Sequence, residues 1–275
     1  MKNSTQPPVS VIIRNRNESH HLKHVLHALS LQDVNHIEVI VVDNESTDGS
    51  VELARAFGAK VLLLEKSSFS YGRALNMGLR EAAAEICVIL SAHSLPLGFG
   101  FIRECLQPFK GERVAAARCV YVGKGADVLR WMEPEVLDGQ GDYISKGPLT
   151  SGCVIRRKVW QEVPFDEEAE AAEEKLWASE VLRRGYVVHS PCNAFYAYLK
   201  ELSPDENMRK NYRELKQVYR STGQRVGFIN RSIGETIVDL AKGVVIGVPI
   251  SALRVARFEL KRAYLRLRFA RQAGV

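Results

Sequence analysis

The sequence lacks several patterns that would assign a class directly. It contains neither GxGxxG nor GxxxxGK[ST], the glycine-rich phosphate loops of dinucleotide-binding domains and P-loop NTPases. No stretch reaches the ~18–20 uncharged apolar residues that a membrane-spanning helix needs. The first residues, MKNSTQPP, also lack the charged-then-apolar order of a signal peptide. We therefore expect a protein that is neither integral to a membrane nor secreted.

Cysteine is scarce, and its spacing does not indicate a metal-binding site. The chain has five cysteines and no CxxC pair, and Cys87, Cys119 and Cys153 each lie in an apolar run. This usage is typical of small core residues rather than of a disulfide framework. It favours a reducing, cytoplasmic setting.

Charge is distributed unevenly along the 275 residues. The formal net charge is +6, with 46% hydrophobic and 25% charged residues, as in ordinary globular proteins. Residues 207–275 contain 15 Lys and Arg against 4 Asp and Glu, so the excess positive charge lies in the tail. We predict a globular domain over residues 1–203 and a basic helical tail over residues 204–275.

The first ninety residues alternate between strand and helix patterns. Short β-branched runs at 9–13, 37–42, 61–64 and 86–90 are typical of buried strands, and stripes of apolar residues at helical spacing lie between them. Ser46 or Asp48 is the expected N-cap of the second helix. Such alternation predicts an α/β fold with a mostly parallel sheet and right-handed crossovers. Further on we expect a helix near 99–109, a strand near 114–122, a helix over 173–184 and strands at 186–188 and 194–198.

Polar residues follow each predicted strand. Arg14 and Arg16 follow the first, Asp43 follows the second, and Arg73 opens the helix after the third. Ligands of parallel sheets bind beyond the carboxyl ends of the strands. Arginines at helix N-termini suit a pyrophosphate, and an ionised Asp43 could accept the N–H of a base or a ribose hydroxyl.

Six blocks of the sequence together resemble a known family. In chain order they are VSVIIRNRNE, IEVIVVDNESTDGS, YGRALNMGLREA, VILSAHSLP, LTSGCVIRRKVW with FDEE, and EEKLWASEVLRRGY. This series, over about residues 8–198, is similar to the family 2 glycosyltransferases of the GT-A fold. The resemblance implies a nucleotide-sugar donor and the transfer of one sugar, with inversion, to a glycan or lipid-linked acceptor.

The resemblance also implies roles for individual residues. Glu174, in a Glu-Glu pair twelve residues ahead of a glycine, takes the position of the catalytic base. The other expected residues fall into two groups. The nucleotide-sugar group is Arg14, Arg16, Glu18, Asp43 (on the nucleobase), Glu45, Arg73 and Ser91, and the acceptor-side group is Ser151, Gly152, Glu173 and Trp177.

One departure from the family concerns the metal. The family's metal-binding DxD falls on Ser91-Ala92-His93, so both carboxylates are missing. His93 could still hold Mn²⁺ or Mg²⁺ through an imidazole nitrogen, although Mg²⁺ prefers oxygen ligands. Alternatively, a cationic His93 and Arg73 could neutralise the leaving diphosphate without a metal. A catalytically inactive scaffold subunit is the third interpretation.

Several features have a structural alternative. His20, His24 and His27 are interpreted as an exposed helix face, and Trp160 and Trp177 as packing residues, whereas Trp131 could stack on a sugar. The tail interleaves arginines with apolar residues, which favours equally an anionic membrane surface or an intramolecular or homo-oligomer interface. We therefore expect a cytoplasmic protein, peripheral to the inner membrane face. The family resemblance alone implies bacterial surface-polysaccharide assembly as its setting. Nucleic-acid binding and nucleotidyl transfer are ranked low, because the motifs for each are missing.

Overall fold

The computed structural model describes residues 9–122, 134–139 and 143–200, with the isolated positions 213, 214, 217 and 221. The chain divides into two compact units, Met1–Glu201 and Leu202–Val275. Apart from those four isolated positions, the predicted basic tail lies outside the described residues, and so does Trp131. The elements below all belong to the first unit.

The helices and strands alternate through the first ninety residues and become less regular afterwards. The strands are β1 (Val9–Asn15), β2 (Ile37–Asp43), β3 (Lys60–Leu63), β4 (Ile86–Ser91), β5 (Ser94–Pro96), β6 (Val114–Arg118), β7 (Val120–Val122), β8 (Glu135–Leu137), β9 (Gly152–Arg156), β10 (Val187–Ser190) and β11 (Phe195–Tyr198). The α-helices are α1 (Ser19–Ser30), α2 (Ser50–Ala56), α3 (Tyr71–Glu81), α4 (Phe101–Leu106), α5 (Tyr143–Lys146), α6 (Arg157–Glu162) and α7 (Glu173–Arg183).

The main sheet is mixed but mostly parallel in its first half. Its strand order in the described part of the chain is β3-β2-β1-β4-β9-β6-β10-β8. The first four strands in this order are parallel to one another, which confirms the predicted α/β fold. β9 runs antiparallel to both β4 and β6, so the first residues of β9 lie at the edge where β4 and β6 end.

The two faces of the sheet carry separate halves of the core. On β1, Val11 and Ile13 belong to one hydrophobic cluster and Ile12 to the other, as expected for side chains that alternate between faces. Helix α1 covers the first face and α3 the second. Close packing explains one glycine of α3, because a Cβ at Gly78 would lie 2.5 Å from Ile12 Cγ2.

A small second sheet interrupts the strand predicted at 114–122. β6 pairs with β9 and β10 in the main sheet, whereas β7 pairs with β11 in a second sheet of order β5-β11-β7. The change of partner occurs at Cys119, whose N–H donates to Gly152 O, while the next N–H, of Val120, donates to Ala194 O. This second sheet places β11 beside the loop that follows β4.

One local prediction was wrong and another holds in part. The N-cap of α2 is Gly49, with φ of 84°, rather than Ser46 or Asp48. Ser46 is instead bonded to Asp43, and Asp48 accepts hydrogen bonds from Ser19 and Ser50. The helix predicted near 99–109 is shorter, since α4 gives way to a 3₁₀ turn at residues 107–110 with Pro108 in its first turn.

Burial agrees with the expected roles of the cysteines and histidines. All five cysteines are free and buried, and Cys87, Cys119 and Cys153 are fully enclosed in the core. His20, His24 and His27 lie on the exposed face of α1, as predicted. Over the described ranges, no helix has the length and apolar character needed to cross a membrane.

Candidate active site at the carboxyl edge of the sheet

Strand register brings the predicted polar residues to one edge. Asn15 pairs with Asp43 and Arg14 with Ser91, at the carboxyl ends of β1, β2 and β4. The antiparallel β9 starts at Gly152, opposite Leu90, so Thr150 and Ser151 lie just beyond the same edge. The residues after these strand ends therefore surround a common region.

Asp43 ties together the loops that follow β1 and β2. Its carboxylate is wholly buried and accepts hydrogen bonds from Asn15 Nδ2 (2.7 Å), Ser46 Oγ (2.6 Å) and Ser46 N–H (2.8 Å). Asn17 continues the connection through its N–H to Ser46 Oγ (2.8 Å). Glu45, with φ of 51°, is exposed in the same loop, as is Arg16 on the β1 side. Asp43 thus fixes the shape of the predicted nucleotide site, and its contact with a base stays a prediction.

Arg14 presents unsatisfied hydrogen-bond donors. Its Nη2 donates to Thr150 O (3.0 Å), and its guanidinium lies over the Tyr71 ring at 5.0 Å from the centroid. Its Nη1 is 3.7 Å from Glu173 Oε1, yet neither Nη1 nor Nε has a hydrogen-bond partner. Because unpaired buried donors are costly, this guanidinium is suited to receive an anionic ligand.

Two buried carboxylates begin helix α7. Glu173 and Glu174 are 3% and 6% exposed, directly after Ala172, which caps the helix with φ of 61°. Glu173 Oε1 accepts a hydrogen bond from Thr150 Oγ1 (3.2 Å). Carboxylates at a helix N-terminus are stabilised by the helix dipole, which offsets part of the cost of their burial.

Arg118, at the end of β6, lies within electrostatic reach of Glu174. Burial lowers the pKa of Arg118, while the groups of Tyr196 and Glu174 act in the opposite direction. Its Nη1 is 3.4 Å from Gly147 O. The sequence pattern gave no reason to select Arg118, because it follows an alanine-rich strand and belongs to none of the family blocks.

Ser91 and His93 occupy the loop where the family carries its DxD. Ser91 is the last residue of β4 and is buried. Both ring nitrogens of His93 are buried without a hydrogen-bond partner, and its ring packs against Tyr198 at 4.4 Å between centroids. Burial lowers the pKa of His93 to about 4, although Glu18 acts to raise it. At neutral pH the imidazole is therefore neutral, which argues against a cationic His93 in the free protein.

Glu18 is the carboxylate beside His93, but it already has partners. Its Oε1 accepts from Lys200 Nζ (2.6 Å) and is 3.6 Å from His93 Nδ1, while its Oε2 contacts His21 Nδ1 (2.6 Å). Partial burial would raise the pKa of Glu18, but the hydrogen bonds from Lys200 and His21 hold it below its usual value.

These residues do not fit a metal held by the protein. Mn²⁺ and Mg²⁺ favour sites rich in carboxylate oxygens, whereas Ser91 and His93 replace both DxD carboxylates and Glu18 is bound by an ammonium group. Within the described ranges, no three His, Cys, Asp or Glu side chains are grouped so that they could hold a metal ion.

Arg73 links helix α3 by hydrogen bonds to the FDEE segment, residues 165–168. Its Nε donates to Glu167 (2.9 Å) and its Nη1 to Ser68 O (2.7 Å). Asn76, one turn further along α3, also donates to Glu167 (2.9 Å). A Cβ at Gly72 would lie 2.2 Å from Asp166 O, so the helix and this segment are in close contact. The predicted role of Arg73 on the nucleotide remains a prediction.

Two of the predicted acceptor-side residues, Ser151 and Gly152, lie against Tyr196. Ser151 Oγ is 2.8 Å from Tyr196 Oη, and a Cβ at Gly152 would lie 2.3 Å from Tyr196 Cε1. Trp177 is 2% exposed and its indole N–H donates to Val163 O (2.6 Å), which agrees with a packing role. Trp177 is therefore part of the core, and its predicted acceptor-side role stays a prediction.

Known proteins resemble the chain in sequence and in fold. The sequence profile of Glycosyl transferase family 2 matches residues 10–163. The uncharacterized glycosyltransferase alr2836 of Nostoc sp. is 25% identical over 224 residues, which are 70% of this chain and 62% of the relative. The chain thus spans less than two thirds of that relative's length.

Two solved structures show the same fold at low identity. The mannosyltransferase PcManGT of Pyrobaculum calidifontis, in complex with GDP-Man and Mn²⁺, has a TM-score of 0.64 and 18% identity over 98% of this chain and 84% of its own. Residues 1–349 of S. aureus TarS, in complex with UDP-GlcNAc, have a TM-score of 0.61 and 19% identity over 83% of this chain and 75% of the TarS chain. The profile match covers more than half of the chain. The chain belongs to glycosyl transferase family 2.

Proposed function

We propose that the chain transfers one sugar from a nucleotide-sugar donor to a hydroxyl of a glycan or lipid-linked acceptor, with inversion at the anomeric carbon. The observation that carries this proposal is the pair of buried carboxylates, Glu173 and Glu174, on the same sheet edge as Arg14 with its unsatisfied N–H groups. An acid–base group and an anion site are the two parts that glycosyl transfer requires.

Glu174 is the proposed general base. It removes the proton of the acceptor hydroxyl while the hydroxyl oxygen attacks the anomeric carbon, for which the carboxylate must lie within ~2.6–3.2 Å of that oxygen. The bond from the anomeric carbon to the phosphate oxygen breaks in the same step. The nucleoside diphosphate leaves with the electron pair, and the proton stays on Glu174.

Arg14 is proposed to bind the donor phosphates. A guanidinium whose Nε and Nη1 have no hydrogen-bond partner can form short, charge-assisted hydrogen bonds to phosphate oxygens. Its bond to Thr150 O and its position over Tyr71 fix its orientation before the donor binds. The donors in the two related structures, GDP-Man and UDP-GlcNAc, support a nucleotide sugar as the class of ligand.

The direct experiment compares Glu174→Gln with two matched variants. Glu180→Gln lies on the same helix in an exposed ion pair with Arg183, and Glu173→Gln changes the neighbouring carboxylate. We expect E174Q to lower kcat by about 10²–10⁴ and E180Q to leave it unchanged. Full activity in E174Q, or a loss confined to E173Q, would contradict the assignment of the base.

A second candidate function is sugar-nucleotide binding without turnover. It is favoured by the replacement of both DxD carboxylates by Ser91 and His93. The same assay separates the two functions, because a scaffold binds donors but releases no nucleoside diphosphate, whatever residue stands at position 174.

The setting of the reaction is part of the proposal. We infer a hexosyl- or deoxyhexosyltransferase of cell-envelope polysaccharide assembly, associated with the inner membrane face through its basic tail. Flotation of the full chain with vesicles tests the association. The expected result is co-flotation with anionic, but not with neutral, vesicles.

A further inference from the structure

Lys200 lies close to the loop that contains His93. It follows β11, a strand of the second sheet. The N–H of Leu199 donates to His93 O (2.8 Å), and Tyr198 pairs with Ser94 across the second sheet. These backbone contacts bring the next residue, Lys200, to Glu18 with an Nζ to Oε1 distance of 2.6 Å. The Lys200 side chain is 44% exposed, so its ammonium can reach a ligand in solvent.

Charges of both signs act on His93, and the carboxylate of Glu18 has the largest effect among them. Lys200 and Arg14 both act on the imidazole as cations, and Glu18 is the carboxylate that acts against them. A divalent cation ligated by Glu18 would have to displace Lys200 and would be repelled by Arg14. A diphosphate, by contrast, is attracted by both side chains.

We propose that Lys200, together with Arg14, supplies the positive charge that the diphosphate of the donor meets, so that this site works without a divalent cation. The inference rests on the proposed function. It names the residues that supply the positive charge which a metal held by the DxD carboxylates would otherwise provide. A lysine acts on a phosphate as a compact point charge on a flexible stem. Lys200 can therefore turn from Glu18 to the β-phosphate as negative charge develops there.

Glu18 has a defined part in this arrangement. In the free chain it holds Lys200 beside His93 and competes with the diphosphate for the ammonium group. The neutral amide of Glu18→Gln would compete less. If Glu18 were instead a metal ligand, the same substitution would weaken metal-dependent binding, so the two interpretations predict opposite signs.

The test is calorimetric binding of ADP, CDP, GDP, UDP and dTDP to the full chain, each in EDTA and again with Mn²⁺ or Mg²⁺. The variants are Lys200→Met, Glu18→Gln and the matched control Lys60→Met. Lys60 is similarly exposed and paired with Glu81, but it begins β3 at the opposite edge of the sheet. Urea unfolding of each variant verifies that it folds.

We expect at least one diphosphate to bind in EDTA, with an affinity that the metals change less than threefold. K200M should weaken that binding at least tenfold, K60M should leave it unchanged, and E18Q should bind as tightly as the unaltered chain or tighter. Binding that requires Mn²⁺ or Mg²⁺, a loss of metal-dependent binding in E18Q, or an unaffected K200M would each overturn the inference while leaving the proposed function standing. If no diphosphate binds with or without metal, the proposed function itself fails.

Discussion

The substitution Asp43→Asn tests whether the buried carboxylate holds the donor-side loops in place. One Asp43 oxygen accepts from Ser46 N–H, and the other accepts from Asn15 Nδ2 and Ser46 Oγ. An asparagine retains only one oxygen, so at least one buried donor loses its acceptor and faces an NH₂ group. A buried unsatisfied donor costs about 1–3 kcal/mol, and hydrogen bonds to charged groups are worth about 1.5–3 kcal/mol. We therefore expect D43N to lower the free energy of unfolding by about 2–4 kcal/mol.

Asp48 provides a matched control in the same loop. Its carboxylate also accepts three hydrogen bonds, from Ser19 N–H (2.7 Å), Ser50 N–H (3.1 Å) and Ser50 Oγ (2.5 Å), but it is exposed to solvent. Water can replace the lost partners there, so Asp48→Asn should cost less than about 1 kcal/mol. Urea unfolding of both variants, with equal m-values, gives the comparison. Equal losses in D43N and D48N would refute the reasoning from burial.

Three further predictions concern stability and the core. Gly152→Ala would place a Cβ 2.3 Å from Tyr196 Cε1, so overpacking should lower the unfolding free energy by about 1–3 kcal/mol, and an unchanged Tm would contradict the close contact. His93 has a pKa of about 4 against an ordinary value of about 6.5. Between pH 6.5 and pH 4 the folded chain therefore binds fewer protons than the unfolded chain, so the stability of the fold decreases as the pH falls through this range. Between pH 7 and pH 4.5, the unfolding free energy of His93→Gln in urea should therefore fall by up to about 3 kcal/mol less than that of the unaltered chain. An equal fall in both proteins would argue against the low pKa of His93. The five buried cysteines should not react with a thiol reagent such as DTNB in the native chain and should all react in denaturant; rapid reaction in the native chain would contradict their burial.

The fold was predictable where local pattern and tertiary context agree. In the first ninety residues the apolar runs form parallel strands, because such a strand is buried on both faces of the sheet. The helical stripes form helices that bury one apolar face against the sheet. The pattern of residues 114–122 failed to show that the strand changes sheets at Cys119, since the partner strands β9, β10 and β11 lie far away in sequence. The cap of α2 was missed because Ser46 is hydrogen-bonded to Asp43, and the Asp48 carboxylate is shared between Ser19 of α1 and Ser50 of α2.

The sequence predicted which strand ends form the site, but not the hydrogen bonds and ion pairs that connect its side chains. The family blocks select Arg14, Asp43 and Glu174, and the strand register places the first two on the expected edge. The network around Glu18 could not be read from the sequence, because Lys200 reaches it only through the second sheet. The departure from the family pattern at Ser91-Ala92-His93 was the one sequence signal for the proposal that other residues supply the positive charge.

The measurement that tests the account most directly is proton NMR of the anomeric signal during incubation of the full chain with a panel of nucleotide sugars, including GDP-mannose and UDP-GlcNAc. Inverting transfer, to an acceptor or slowly to water, predicts loss of one donor signal and the first appearance of a sugar with the opposite anomeric configuration. A first product with the donor's configuration would contradict the single displacement with Glu174 as base. Donors that bind but remain intact throughout would contradict glycosyl transfer itself.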